Sequence, residues 1–328
     1  MKNILIFLLK LVFTGACLWW AFSQVKLDHT VSSELVRVDH RWIIGGVILA
    51  GISIFLQSLR WWFFLRAQAL NISVSRCTEL TLIDGLFSLA SFGGLGGSAA
   101  RVILLTREYP QRKLVISMAV MVDHLAGMVA LAGIFFMLSA PRFDALILQS
   151  ALGKGVFEFA RFYLGGGLLM VAMIFIIASP PVHRLLHAHD SFSQWSAMKR
   201  IPEVCDIFRK KWSYTAAGLA SSCLMLIVYF SSYFCGLRAI GGLESYYDVV
   251  SAMPVIDVMS GLPISISGVG VREKMFEVLM KDLADVPPRT AVAASLVGFF
   301  CNMVWALLGA CLFMVKKNRG TTMRMADS

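Results

Sequence analysis

The sequence predicts an all-α integral membrane protein with about six transmembrane helices and two re-entrant broken-helix segments, arranged as an inverted repeat. The 328 residues are 58% hydrophobic and 15% charged, with mean hydropathy +0.73. A soluble domain carries about a quarter charged residues. Several apolar runs reach the roughly 20 residues that cross a bilayer core. Two further apolar segments are broken by glycine clusters at matching places in the two halves of the chain.

The first run, at 4–24, holds Lys10 and has no small-x-small cleavage site before the next loop. It therefore reads as a crossing and not as a signal peptide. Further crossings are expected at 41–66, 114–139, 157–179, 213–238 and 290–315. Trp19, Trp20, Trp42, Trp61, Trp62 and Trp212 fall at or near the ends of these runs, as interfacial anchors should. Segments 79–106 and 247–280 are apolar but interrupted, the first by SFGGLGGSAAR and the second by GLPISISGVGVRE.

Charge sets the expected topology. Residues 180–212 carry Arg184, Lys199, Arg200, Arg209, Lys210 and Lys211 against three acidic residues. The tail after 315 carries Lys316, Lys317, Arg319 and Arg324 against Asp327. Both are expected in the cytoplasm. The two crossings between them then require 247–280 to enter and leave on the external side. Counting backwards makes 79–106 re-entrant from the cytoplasm and puts the N-terminus inside. One transmembrane domain over 1–316 is expected. It comprises an N-terminal helix and external loop (1–40), a first repeat (41–139), a connecting helix and basic loop (140–212) and a second repeat (213–315). A basic cytoplasmic tail (317–328) follows. The net charge of +10 fits cytoplasmic loops against anionic lipid, and no basic face outside the membrane suggests nucleic acid.

Arg101 and Arg272 stand 171 residues apart, as do Gly97 and Gly268. Three crossings separate the starts of the two halves, so the halves are expected to be inverted. Irregular backbone at membrane depth is tolerated only when it is buried in protein or lines a wet cavity. Such breaks in corresponding positions of two halves point to a transporter binding site. Broken helices turn their N-terminal amides toward the cavity, and an arginine adds a planar fork for phosphate or carboxylate. An anionic phospholipid or lipid-linked headgroup fits that chemistry. Ser98, Ser265 and Ser267 either donate to it or cap the broken helices. The plainer alternative is that the glycines only permit close helix packing.

The run PISISGVGVRE at 263–273 resembles the signature of the lysylphosphatidylglycerol synthase transmembrane-region family, a flippase-like domain. The glycine-rich turn leading to Arg101 resembles that family's N-terminal counterpart. The resemblance covers about residues 1–316. Two departures stand out. Gly94-Leu95-Gly96-Gly97-Ser98 replaces the usual Pro-Gly and acidic residue, and Asp123-His124 replaces an acid–arginine pair in the third crossing. The resemblance implies a bacterial inner-membrane protein that moves a lipid or lipid-linked headgroup between leaflets. The chain ends in a short basic tail, so the lysyl transfer of some relatives is not expected. The alternative is a non-transporting lipid-binding partner in envelope lipid or glycolipid synthesis. Lipid-biosynthesis enzymes or a second copy are the candidate protein partners.

Other ionisable residues divide between the candidate site and the membrane interface. Arg60, beside Trp61 and Trp62, is expected to snorkel to the interface. Asp84 either pairs with Arg101 or sits at the interface. Asp123 and His124 lie about a third of the way into a crossing, where ionisable residues are functional or paired with an arginine. A proton-responsive role for His124 is one reading. Asp257 is a candidate partner of Arg272. Glu273 either neutralises Arg272 in the empty site, as a gate, or is a solvated interfacial charge. His183 and His187 have a helical ligand spacing but no glutamate between them, so an amphipathic interfacial helix is the better reading. The seven cysteines show no CxxC spacing, which gives neither a disulfide framework nor a metal site. No GxSxG, HExxH or P-loop is present, so no enzyme and no cofactor is expected.

Overall fold

The computed structural model describes residues 39–89, 95–142, 150–177 and 205–326, with side chains to Val315. The helices are α1 (His40–Ala67), α2 (Val74–Leu89), α3 (Leu95–Glu108), α4 (Lys113–Ile134), α5 (Ala151–Ile177), α6 (Trp212–Ala239), α7 (Tyr246–Gly261), α8 (Val271–Ala284) and α9 (Pro288–Ala326). Among the described residues, five helices are long and apolar enough to cross a membrane. They are α1, the rod Pro110–Arg142 that contains α4, α5, α6, and Pro288–Val315 of α9. The crossing expected at 4–24 and the loop holding His183 and His187 lie outside the described residues. The crossing expected from 157 begins earlier, at Ala151. Ser150 explains the difference, because its hydroxyl accepts from Gly153 N at 3.0 Å and caps the helix start.

Local chemistry sets the other ends. The Asp39 carboxylate accepts from Arg41 N at 3.0 Å and starts α1. Ser245 does the same for α7 through Tyr247 N at 3.1 Å. Ala69 stops α1 in a left-handed conformation, φ 58°, and Leu70 N returns to Leu65 O at 3.0 Å. Ile44, Ile48, Ile52 and Phe55 of α1 are exposed along one face, as are Phe162 and Leu169 on α5. Apolar rows of that kind belong in hydrocarbon. Trp42 and Trp212 are exposed at helix ends, as interfacial anchors should be. Trp61 departs from that expectation. It is fully buried, in a cluster with Leu65, Leu80 and Leu105.

Helices α1 and α6 pack antiparallel along their length. Asp39 N donates to Ala239 O at 2.9 Å at one end. At the other end the Phe64 ring lies over Gly218. Helix α9 packs on both, and Trp305 Nε1 donates to Val47 O at 2.8 Å.

The two interrupted segments are helical hairpins, α2–α3 and α7–α8, whose arms pack together. Arg76 at the start of α2 is ion-paired with Glu108 at the end of α3, so that hairpin opens and closes at one place. The second hairpin does likewise around the 142–150 connection. Asp248 at its start pairs with Arg142 at 2.7 Å, and Asp282 near its end accepts from the Ser150 hydroxyl at 2.5 Å. Glu108 adjoins one end of the Pro110–Arg142 rod, and Arg142 is the other end. The two hairpin mouths are therefore separated by the length of a crossing, about 50 Å for 33 residues.

Candidate functional site

The first hairpin brings Gly97 of α3 directly against α2. A side chain at Gly97 would run into the Asp84 carboxyl and the Ser88 hydroxyl, so only glycine permits the approach. Arg101 lies one turn further on the same face. It is 1% exposed and reaches Asp84 (Nε–Oδ2, 3.2 Å) and Asp123 of α4 (Nη2–Oδ2, 3.3 Å). Its guanidinium carbon stands 5.1 Å from the centre of the Trp61 ring. Asp123 is also gripped by Arg60 of α1, with Nε donating at 2.6 Å and Nη2 at 3.0 Å. Two arginines and two aspartates thus form one buried, charge-balanced chain. Beside it, Ser98 Oγ and His124 Nε2 lie 2.8 Å apart.

Of the two readings of Asp84, the pair with Arg101 is the one observed. Arg60 corrects the snorkelling expectation. It is 5% exposed and tied in two places to Asp123. Helix α1 continues seven residues past it, about 10 Å, which is too far from the helix end to choose water over a facing carboxylate.

The second hairpin is built differently. Its arms are joined by residues 262–270, in which Ser267 (φ 53°), Gly268 (φ 74°) and Gly270 (φ 85°) are all left-handed. Arg272, in the first turn of α8, is 8% exposed. Its Nη2 donates to Ser267 O at 3.1 Å, and its guanidinium carbon lies 5.0 Å from the centre of the Phe299 ring of α9. Asp257 of α7 does not form the expected ion pair with it, since no ion pair to Arg272 occurs among the described residues. Asp257 acts on it only through longer-range electrostatics, as do Tyr233 and Tyr229 of α6 and Glu273 of α8.

Glu273 also departs from expectation. It is fully buried, accepts from Gly270 N at 2.5 Å to cap α8, and receives the Ser295 hydroxyl at 3.4 Å. It caps the helix start and is not a solvated charge, and its carboxylate also acts electrostatically on the neighbouring Arg272. Ser265 is fully buried, and its hydroxyl has no hydrogen-bond partner among the described residues. The same holds for Arg272 Nη1. Neither Ser265 nor Ser267 caps α8, whose N-cap is Gly270.

The structure therefore gathers Ser98, Gly97, Asp84, Arg101, Asp123 and His124 into one half-site. Ser265, Ser267, Gly268, Asp257, Arg272 and Glu273 belong to the other. Sequence reasoning placed Arg60 at the interface and passed over Tyr229, Tyr233, Ser295 and Phe299. Arg60 alone carried a signal, as a charge well inside a crossing. Gly268→Ala is expected to cost about 1–3 kcal/mol, because the new Cβ stands 2.8 Å from Ser260 at a left-handed φ. Denaturant unfolding in micelles measures it, and an unchanged midpoint would contradict the tight turn.

The model of the lysylphosphatidylglycerol synthase transmembrane region matches residues 7–309. A UPF0104 membrane protein of Pyrococcus horikoshii is 28% identical over 109 residues, which is 33% of this chain. The match spans 31% of that relative's length. With a match over almost its whole length, the chain belongs to the lysylphosphatidylglycerol synthase transmembrane-region family.

Proposed function

We propose that the protein moves an anionic phospholipid, or a lipid-linked headgroup, between membrane leaflets through a polar site formed between two re-entrant hairpins. The observation that carries this reading is the pair of hairpins whose mouths lie at opposite ends of one crossing, each holding a buried arginine next to its break. A headgroup crossing hydrocarbon needs polar groups at mid-depth that are reachable from either side, and broken helices supply them.

The packing supports an inverted repeat of 41–139 and 213–315. Exchanging α1 with α6, α2 with α7, α3 with α8 and α4 with α9 carries the helix contacts onto one another. The packing of α2 on α9 becomes that of α7 on the α4 rod, and α1 on α4 becomes α6 on α9. The antiparallel pair α1–α6 would lie on the two-fold axis. Among the described helices α5 has no counterpart, and it is the connector. Positive charge supports a cytoplasmic mouth for the first hairpin, where Arg66, Arg76, Arg107, Arg112 and Lys113 cluster. At the other mouth Arg142, Lys281 and Arg289 are matched by Asp248, Asp282 and Asp285. An apolar cavity of about 190 Å³ between α1, α4, α5 and α6, walled by Phe64, Leu125, Val171 and Phe208 among others, suits hydrocarbon.

Topology and activity test it together. Cysteines placed at Leu243 and Asp285, the two flanks of the second hairpin, are expected to react with an impermeant thiol reagent from the same, external side. Labelling from opposite sides would make the segment a crossing. In proteoliposomes the protein is expected to exchange a labelled anionic phospholipid between leaflets faster than protein-free vesicles do. Specific binding without exchange would instead favour a lipid-presenting partner.

A further inference from the structure

The charges around the two breaks do not balance. In the first hairpin Arg60 and Arg101 oppose Asp84 and Asp123, which sums to zero. In the second, Lys274 and Glu277 of α8 pair at 2.8 Å with both side chains buried. Three charged groups remain near that break. Glu273 acts electrostatically on Arg272 and is itself held by Gly270 N and the Ser295 hydroxyl. Their charges cancel, which leaves Asp257 of α7 as a surplus acid. It is half-buried, and among the described residues its carboxylate has neither an ion pair nor a hydrogen bond. Arg272 of α8 and Tyr229 and Tyr233 of α6 lie within electrostatic range of it. The two tyrosine hydroxyls are 3.3 Å apart. Helices α4 and α5 also pack on α7, and among the described residues neither brings a charge that acts on Asp257. Asp248, at the far end of α7, is paired with Arg142.

An unpaired carboxylate at membrane depth is costly, and such an acid takes up a proton or a cation instead. The nearby guanidinium disfavours a metal cation. Among the described residues no three histidine, cysteine or acidic side chains gather to hold one. Resting on the transport reading above, we infer that the protein is a proton symporter, in which Asp257 carries one proton with each anionic headgroup. The carboxylate takes the proton from water on one side of the membrane and returns it to water on the other. The linkage is electrostatic. A negative headgroup between the hairpins raises the cost of an ionised Asp257, so headgroup and proton bind together. One anion and one proton cross as a neutral unit, and the pH gradient sets the direction. Headgroups are carried toward the alkaline side.

The test uses the full chain in phosphatidylcholine proteoliposomes that carry a fluorescent phosphatidylglycerol, with the leaflet ratio read by dithionite. With the lumen about one pH unit more alkaline, the wild type is expected to enrich the probe in the inner leaflet at least about threefold. One proton per lipid allows up to about tenfold. A protonophore should return the ratio to even, and a sodium gradient should not shift it. Asp257→Asn, fixed in the neutral form, is expected to end even under the same gradient, however slowly. Asp257→Glu should restore the bias. The Asn variant should melt no lower than wild type, because it replaces an unpaired acid by its neutral isostere. Proton uptake is read separately, by infrared difference spectra of the detergent-purified chain between about pH 5.5 and pH 8, where ordinary carboxylates stay ionised. A carboxylic-acid C=O band is expected that Asp257→Asn removes. Rapid wild-type exchange with an even ratio under the gradient would overturn symport and keep transport. A bias that survives in Asp257→Asn, as it would if His124 beside Ser98 carried the proton, would overturn the assignment. A bias that follows sodium would overturn it too. A wild type without exchange removes transport; the infrared band then keeps the proton site, and its absence removes that as well.

Discussion

Asp123→Ala is expected to cost about 3–5 kcal/mol of unfolding free energy, because it leaves buried charge without its partner. Asp123 is fully buried, holds Arg60 through two hydrogen bonds and reaches Arg101 at 3.3 Å. Without it Arg60 keeps its full charge inside the helix bundle with no acid opposite. The paired replacement Arg60→Met with Asp123→Leu is expected to recover most of that loss. Buried ion pairs replaced as a unit by apolar residues of similar size are often neutral in stability. Arg101 would still have Asp84. Unfolding in mixed micelles, followed by tryptophan fluorescence with buried Trp61 as a reporter, measures all three proteins. A single variant within about 0.5 kcal/mol of wild type, the range of ordinary surface changes, would mean that the network is not closed as described.

That network also shows what a sequence can and cannot disclose. The long crossings were legible because an apolar run of bilayer length leaves few alternatives. The hairpins were legible because Gly97 and Gly268 sit where only glycine fits, and each is followed four residues later by an arginine. The pairing of Asp84 with Arg101 was one of two readings, and proximity within a hairpin decided it. Arg60 was misread because two tryptophans next to it suggested an interface. In the fold Trp61 turns into the core while Trp62 Nε1 bonds Ile72 O at 2.8 Å across the following loop. The capping role of Glu273 was not legible because it is adjacent to Arg272. Neighbours in a helix point about 100° apart, so one turned back to cap Gly270 and the other faced Phe299. The same spacing that makes an acid and a base look like a pair in a sequence separates them in a helix. Which arginine is held in ion pairs depends on α4 crossing behind the first hairpin with Asp123. Nothing local to either glycine-rich motif encodes that.

The second large effect concerns function. Arg272→Ala is expected to slow leaflet exchange at least tenfold, since it removes the buried guanidinium at the second break, which has no ion-paired carboxylate among the described residues. Its structural cost should be smaller than that of Asp123→Ala, because among the described residues no acid lies at ion-pair distance from it, and the Ser267 O bond and the contact with Phe299 are what is lost. The decisive measurement is therefore dithionite quenching of a fluorescent phosphatidylglycerol in proteoliposomes. It compares wild type, Arg272→Ala and Arg272→Lys, each checked for a monodisperse folded peak before reconstitution. The account predicts rapid quenching of the inner-leaflet pool with wild type, a rate near that of protein-free vesicles with Arg272→Ala, and an intermediate rate with Arg272→Lys. Equal rates for wild type and Arg272→Ala, or a wild type no faster than empty vesicles, would contradict it.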